Sequence, residues 1–325
     1  MIKRFQIILL IVLYIYIRGQ NIDIREFYLN YKGTRVEYIV LSKKGEKDIK
    51  KPLLVFCQGS LAQPIIRVND NGIMPLFPFE ENILLDNFHV IIISKPGIPL
   101  KVNIINLKSD FSFPKNGNPP VEYIRNNNLN YYYKRNNFIV SKLIKNKWVD
   151  SSKIVVAGHS EGSYIALKMA KHNTLITHLI YSGGNPLGRM MSIINYDRIS
   201  KNEKQSFVQE DLDFWKKIVY NKDIEDYSNE NTYKYHYLLS KNFIPDLLQL
   251  KIPILVTYGT GDQNGIFNDY LQVIAIENRK LNFTFKSYFK TDHNFFPIDE
   301  DGNINHNINN WNNVVEDWVY WYKNN

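Results

Sequence analysis

Polar and apolar positions alternate early in the chain, and later the apolar ones gather into short runs. EFYLNY (residues 26–31) and RVEYIVL (residues 35–41) alternate with a period near two, and Lys32-Gly33 between them predicts a hairpin over residues 26–41. Each later apolar run is brief and ends at a turn containing glycine. Residues 53–57 stop at Gln58-Gly59, residues 90–93 at Lys95-Pro96-Gly97, residues 153–157 at Gly158 and residues 179–181 at Gly183-Gly184. Residues 254–256 follow Pro253 and stop near Gly259. Continuous β-branched runs of this length predict strands covered on both faces. Residues 283–289 interleave polar and apolar positions, which predicts an edge strand. Helical spacing separates the runs: residues 164–171 follow the third, and Trp311, Val314, Val315, Trp318 and Tyr322 fall on one face of a final helix.

This alternation predicts an α/β fold, with a mostly parallel central sheet, right-handed crossovers and helices on both faces. Two segments exceed what a crossover needs. Residues 101–120 contain Asn, Pro and Gly and read as a loop excursion. Residues 185–250 mix charges and aromatics at helical spacing, and are expected to form an inserted helical cap over the carboxyl ends of the strands.

Residues 1–20 differ from the rest. Lys3 and Arg4 precede residues 5–17, which are apolar apart from Gln6 and two tyrosines. That stretch is shorter than the ~20 residues of a spanning helix and matches the apolar region of a secretory signal. Ile17-Arg18-Gly19 does not resemble an Ala-x-Ala cleavage site. An uncleaved anchor that tethers the protein to a membrane through residues 5–17 therefore stands beside a cleaved signal peptide, and a buried first element of the domain is the third option. The expected organisation is a targeting segment over residues 1–20 and one domain over residues 21–325. The expected location is the bacterial periplasm or the medium, or the membrane if the segment is retained.

Composition narrows the class. Of 325 residues, 44% are hydrophobic and 22% charged, which describes a packed globular protein rather than a disordered one. The single cysteine, Cys57, excludes an internal disulfide, a four-cysteine zinc site and a Cys-x-x-Cys redox pair. An exported protein without disulfides suits a bacterial envelope. The net charge of +8 arises from mixed signs with no long basic run, so no nucleic-acid partner is expected. The sequence sets no expectation for an oligomeric state.

Candidate chemistry centres on Gly158-His159-Ser160-Glu161-Gly162, a G-x-S-x-G motif with KIVVA before it and SYIALKMAK after it. A strand that turns sharply into a helix exposes the serine at the turn, and the flanking glycines let the neighbouring backbone approach. A serine hydroxyl needs a base in contact, and the base needs an orienting acceptor. Seven histidines are present. His159 lies inside the motif with its side chain expected to point away from the attack direction. His172 and His178 flank the helix that leads away from Ser160, His89 begins a strand at the opposite end, and His236 lies in the insertion. His293, in a loop after the last strand, is the expected base, with His306 at the start of the final helix the alternative. Asp262, in Gly259-Thr260-Gly261-Asp262 after residues 254–256, is the expected acid, with a plain turn residue the alternative. Asp292 adjoins His293, but chain neighbours seldom face each other.

With GHSEG around Ser160, GTGDQN around Asp262 and DHNF around His293, in that order and each after a strand, the chain resembles an α/β-hydrolase from about residue 53 to its end. The last two segments are most similar to the dienelactone-hydrolase and prolyl-oligopeptidase-like branches. The resemblance implies Ser160 as nucleophile, His293 as base and Asp262 as its orienting acid. It also implies an oxyanion hole of backbone N–H groups. The family usually reads His-Gly in the loop after the third strand, and here the loop is Gln58-Gly59-Ser60. The implied donors are the N–H groups of Ser60 and Glu161, with Leu61 the alternative to Ser60. No cofactor is implied, and no His, Cys or carboxylate cluster has metal-ligand spacing. The expected substrate is a small carboxylic ester. A short peptide is the alternative, and a non-catalytic binding protein on the same scaffold is the third reading. Trp215, Tyr220, Tyr227, Tyr233, Tyr235 and Tyr237 line a pocket or simply pack. Arg189 binds a substrate carboxylate or is solvated.

Overall fold

The expected hairpin and apolar runs become strands of one sheet. A computed structural model describes residues 21–199, 208–228 and 231–325, so the targeting segment expected over residues 1–20 lies outside the described residues. Strands β1 (Ile22–Tyr31) and β2 (Thr34–Lys43) pair antiparallel from Ile22–Lys43 to Tyr31–Thr34. Lys32 (φ 52°) and Gly33 (φ 84°) both adopt left-handed backbone, as the twist of a tight two-residue hairpin requires. Next come β3 (Lys51–Cys57), β4 (Ile66–Asn69), β5 (Gly72–Ile73), β6 (His89–Ile93), β7 (Lys101–Asn103), β8 (Val149–His159), β9 (His178–Ser182), β10 (Ile254–Gly259) and β11 (Phe283–Tyr288). Eight of these form the sheet β1-β2-β6-β3-β8-β9-β10-β11, parallel from β6 to β11, with β11 the edge strand.

Ten helices accompany them among the described residues: α1 (Glu81–Leu85), α2 (Val121–Asn126), α3 (Leu129–Leu143), α4 (Glu161–Lys171), α5 (Arg189–Ile199), α6 (Val208–Asn221), α7 (Tyr233–Leu239), α8 (Ile244–Gln249), α9 (Gly265–Glu277) and α10 (Trp311–Lys323). The period-two geometry of the strands sorts their apolar side chains onto two faces. Leu53, Val55, Ile154, Val156, Ile254 and Val256 pack with residues of α3, α4 and α8. The intervening Leu54, Val90, Val155, Ala157, Ile180 and Leu255 pack with α1 and α10. Burial on both faces explains why these runs carry no polar alternation. Cys57 sits on the α4 side, buried, with its Sγ 3.6 Å from the Met169 sulfur.

The structure amends the reading of residues 101–120. Lys101–Asn103 is strand β7, and with β4 and β5 it forms a second, three-stranded sheet, β5-β4-β7. Strands of two to four residues with Arg, Lys and Asn along them carry no hydrophobic period to read. Residues 185–250 hold α5 to α8. Of these, α8 lies against α4, where Lys168 and Asp246 form an ion pair.

Trp318 on α10 is 1% exposed and anchors that helix to the sheet. Trp318→Ala should lower the unfolding free energy by about 3–5 kcal/mol, as measured by urea denaturation.

Candidate active site

The turn after β8 is strained. Ser160 has φ 55° and ψ −126°, and α4 begins at the next residue. A non-glycine residue in this region costs about 1–3 kcal/mol and persists only where the surroundings hold it. Here the Ser160 N–H donates to the Ser182 carbonyl on β9 at 2.9 Å. The Ser160 carbonyl accepts from the Ser163 N–H at 3.1 Å and from Ser163 Oγ at 2.6 Å. The flanking glycines leave room for nothing larger. A Cβ on Gly162 would stand 2.1 Å from the Cys57 carbonyl oxygen, and one on Gly158 would stand 2.0 Å from the Gly162 carbonyl oxygen.

Asp262 and His293 come together from two different loops. His293 Nδ1 lies 2.7 Å from Asp262 Oδ2. Because an ionised carboxylate only accepts, the proton sits on Nδ1 and the neutral ring keeps Nε2 as its acceptor. The Asp262 side chain is 1% exposed, whereas His293 keeps 33% of its side chain open. Burial works against the imidazolium, but the hydrogen bond and charge of Asp262, with the charge of Asp292, outweigh it and hold His293 above its ordinary value. The loops are bound to each other: Gly261 N–H donates to the Thr291 carbonyl at 2.8 Å, and Lys290 N–H to Thr260 Oγ1 at 2.9 Å. Asp292 points elsewhere and caps its own loop, accepting from the N–H groups of Asn294 and Phe296 at 2.9 and 2.7 Å.

Ser160 and His293 face one cavity of about 280 Å³, whose wall also includes Glu161, Tyr164, Arg189 and Gln263. No direct hydrogen bond joins Ser160 Oγ to His293 among the described residues. Such contacts are often long in unliganded sites and tighten with substrate. Helix α5 of the inserted segment supplies Arg189 and Tyr196 to this wall. Glu161, the residue after the serine, turns its buried carboxylate away to accept from Tyr235 Oη at 2.6 Å, and that hydroxyl in turn accepts from Arg189 Nη1 at 3.3 Å.

Beside Ser160 lies the loop after β3. Gln58 Nε2 donates to the Ile93 carbonyl at 2.7 Å, and the Ser60 carbonyl accepts from Lys95 Nζ at 3.0 Å and from Tyr123 Oη at 3.2 Å. With the carbonyl held on one side, the Leu61 N–H of the same trans peptide points to the other. The N–H groups of Ser60, Leu61 and Glu161 donate to no acceptor among the described residues.

Sequence reasoning undervalued His159. Its ring centroid lies 4.9 Å from that of His293 and 4.8 Å from that of Trp311, and its Nδ1 is 3.0 Å from Ser182 Oγ. Burial, then the proximity of His293, holds it well below the usual range, so it remains neutral and braces the His293 ring. The only sequence signal was its place in the motif. The alternative base, His306, meets the Phe296 ring edge to face instead. The aromatics read as lining a pocket or simply packing are absent from this cavity's wall: Trp215 stacks on Tyr237 at 6.0 Å, Tyr220 is exposed, and Tyr235 is buried.

No family model matches the chain, and no curated protein matches it in sequence. Solved structures match it in fold. Acylaminoacyl peptidase from Pyrococcus horikoshii superposes with a TM-score of 0.51 at 14% identity, over 85% of this chain and 38% of that one. The 2,6-dihydroxy-pseudo-oxynicotine hydrolase gives a TM-score of 0.56 at 16% identity, over 92% of this chain and 66% of that one. An esterase from Rhizomucor miehei gives 0.54 at 14% identity, over 95% of this chain and 84% of that one. This chain therefore spans less than two thirds of the first two proteins. All three are α/β-hydrolases, and this chain has the α/β-hydrolase fold.

The Asp262–His293 pair gives a pH test. A histidine raised by folding contributes stability that is fully present below its unfolded value of about 6.5 and is lost as pH rises through the folded value. The His293 ring should titrate above about 6.5 by NMR, and Asp262→Asn should lower that value.

Proposed function

We propose that the chain is a serine hydrolase that cleaves a carboxylic ester through an acyl-enzyme. One observation carries this reading: the buried Asp262 carboxylate orients His293 toward the cavity into which the strained Ser160 opens. In the forward half, Ser160 Oγ attacks the acyl carbon while His293 Nε2 takes the hydroxyl proton. Asp262 keeps the tautomer that leaves Nε2 free and stabilises the imidazolium. The backbone N–H of Glu161 and that of Ser60 or Leu61 receive the oxyanion, each such donor being worth about 3 kcal/mol of barrier. His293 then returns the proton to the leaving oxygen as its bond to the acyl carbon breaks. Water, deprotonated by His293, attacks the acyl-serine. The carboxylic acid departs, and Ser160 regains its proton.

The likeness to an acylaminoacyl peptidase supports a second reading, hydrolysis of short peptides. The ester reading is preferred because this chain spans 84% of the Rhizomucor miehei esterase but only 38% of that peptidase. The apolar stretch over residues 5–17 supports an exported or membrane-anchored protein.

A fluorophosphonate probe should label the wild type and fail to label Ser160→Ala; an unlabelled, folded wild type would mean a binding protein. Asp262→Asn should reduce kcat by on the order of 10³- to 10⁴-fold. kcat/KM should rise with pH through an ionisation above about 6.5. p-Nitrophenyl esters should turn over faster than aminoacyl anilides, and the reverse would establish the peptidase.

A further inference from the structure

A second cavity, of about 450 Å³, borders the loop after β3, and a Cβ on Gly59 of that loop would stand 4.0 Å from the His159 carbonyl oxygen next to Ser160. Gln58 and Gly59 of that loop form part of its wall. The remainder is largely apolar: Phe56, Ile65, Met74, Leu76, Phe77 and Ile92 line it. Strand β4 contributes Arg67 to the wall, and the Met74 N–H donates to the Arg67 carbonyl at 2.9 Å.

Arg67 is the one cation in this wall. Its Nη2 donates to the Pro75 carbonyl at 2.9 Å, and its guanidinium lies 4.8 Å from the centre of the Phe111 ring. No carboxylate forms an ion pair with it among the described residues. Burial lowers its pKa, and no acidic neighbour offsets that. A guanidinium at the edge of an apolar cavity, without a counter-charge, can receive an anion there.

The reaction direction places the two arms of the substrate. His293 must reach the leaving oxygen, so the leaving group belongs in the cavity that His293 lines. The acyl arm then needs a second space beside Ser160, and Gln58 and Gly59 of the adjoining loop border one. We propose that the cavity bounded by Gln58, Phe77 and Arg67 is the acyl subsite, and that it takes an apolar acyl chain ending in an anionic group, such as the hemiester of a dicarboxylic acid. The inference rests on the ester-hydrolase reading and adds the substrate class.

Three esters test it: p-nitrophenyl acetate, p-nitrophenyl hexanoate and mono-p-nitrophenyl adipate, the last two matched in carbon count. The wild type should prefer the adipate to the hexanoate by about tenfold or more in kcat/KM, as a charge-assisted hydrogen bond affords. Arg67→Met should erase that preference and leave acetate turnover within about twofold. Met74→Trp, which fills the cavity, should slow both six-carbon esters by about tenfold and spare the acetate. Equal rates for adipate and hexanoate, or a loss in Arg67→Met shared equally by acetate, would overturn the subsite. If no ester turns over, the ester-hydrolase reading fails, and the subsite is decided by calorimetry with monomethyl adipate. Ser160→Ala should bind it, and adding Arg67→Met should weaken binding at least about tenfold. Absent binding, or binding indifferent to Arg67→Met, would sink the proposal.

Discussion

The close approach of the turn after β8 to the end of β3 is the constraint on which the rest depends. Gly162 packs its backbone so near the Cys57 carbonyl that even a methyl group would overlap it. This contact sets the first turn of α4 beside the loop that leaves β3. The N–H groups of Glu161, Ser60 and Leu61, which meet no acceptor among the described residues, belong to these two adjoining segments. The unfavourable backbone angles at Ser160 lie beside the same contact, and hydrogen bonds to Ser182 and Ser163 hold them.

Other parts of the site are joined to this turn by separate devices. Two loops, one after β10 and one after β11, are laced together by backbone bonds before Asp262 and His293 meet. Buried Phe295 and Trp311 pack around His159, which lies under His293. On the opposite side, the hydrogen-bonded series Arg189, Tyr235 and Glu161 ties the inserted helices to the residue next to Ser160. The cavity thus has walls contributed by the sheet rim and by the insertion together.

Much of the sheet was legible because its strands are buried on both faces. Ile91, Ile92, Val155 and Val156 read as apolar runs, and the glycines after them marked where the chain turns. Ser160, Asp262 and His293 were legible for a related reason: each follows a strand end, where the local sequence is short and rich in turn residues. What stayed hidden depends on contacts distant in sequence. Nothing in residues 66–69 or 101–103 announces the small sheet, since pairing between two short polar segments leaves no period. The roles of His159, Lys95 and Tyr123 likewise depend on partners tens of residues away. Residues 244–249 lie within the segment read as a cap, yet Leu247 joins the core beside α4.

Cys57 belongs to the same crowded junction. Burial pushes its thiol up to about 12, and it lies against the Met169 sulfur. At neutral pH it is therefore almost wholly un-ionised, and thiolate is the form that reacts with alkylating reagents. Being the chain's only sulfhydryl, it makes the protein its own clock for opening: the rate at which a maleimide consumes it reports how often β3 and α4 part.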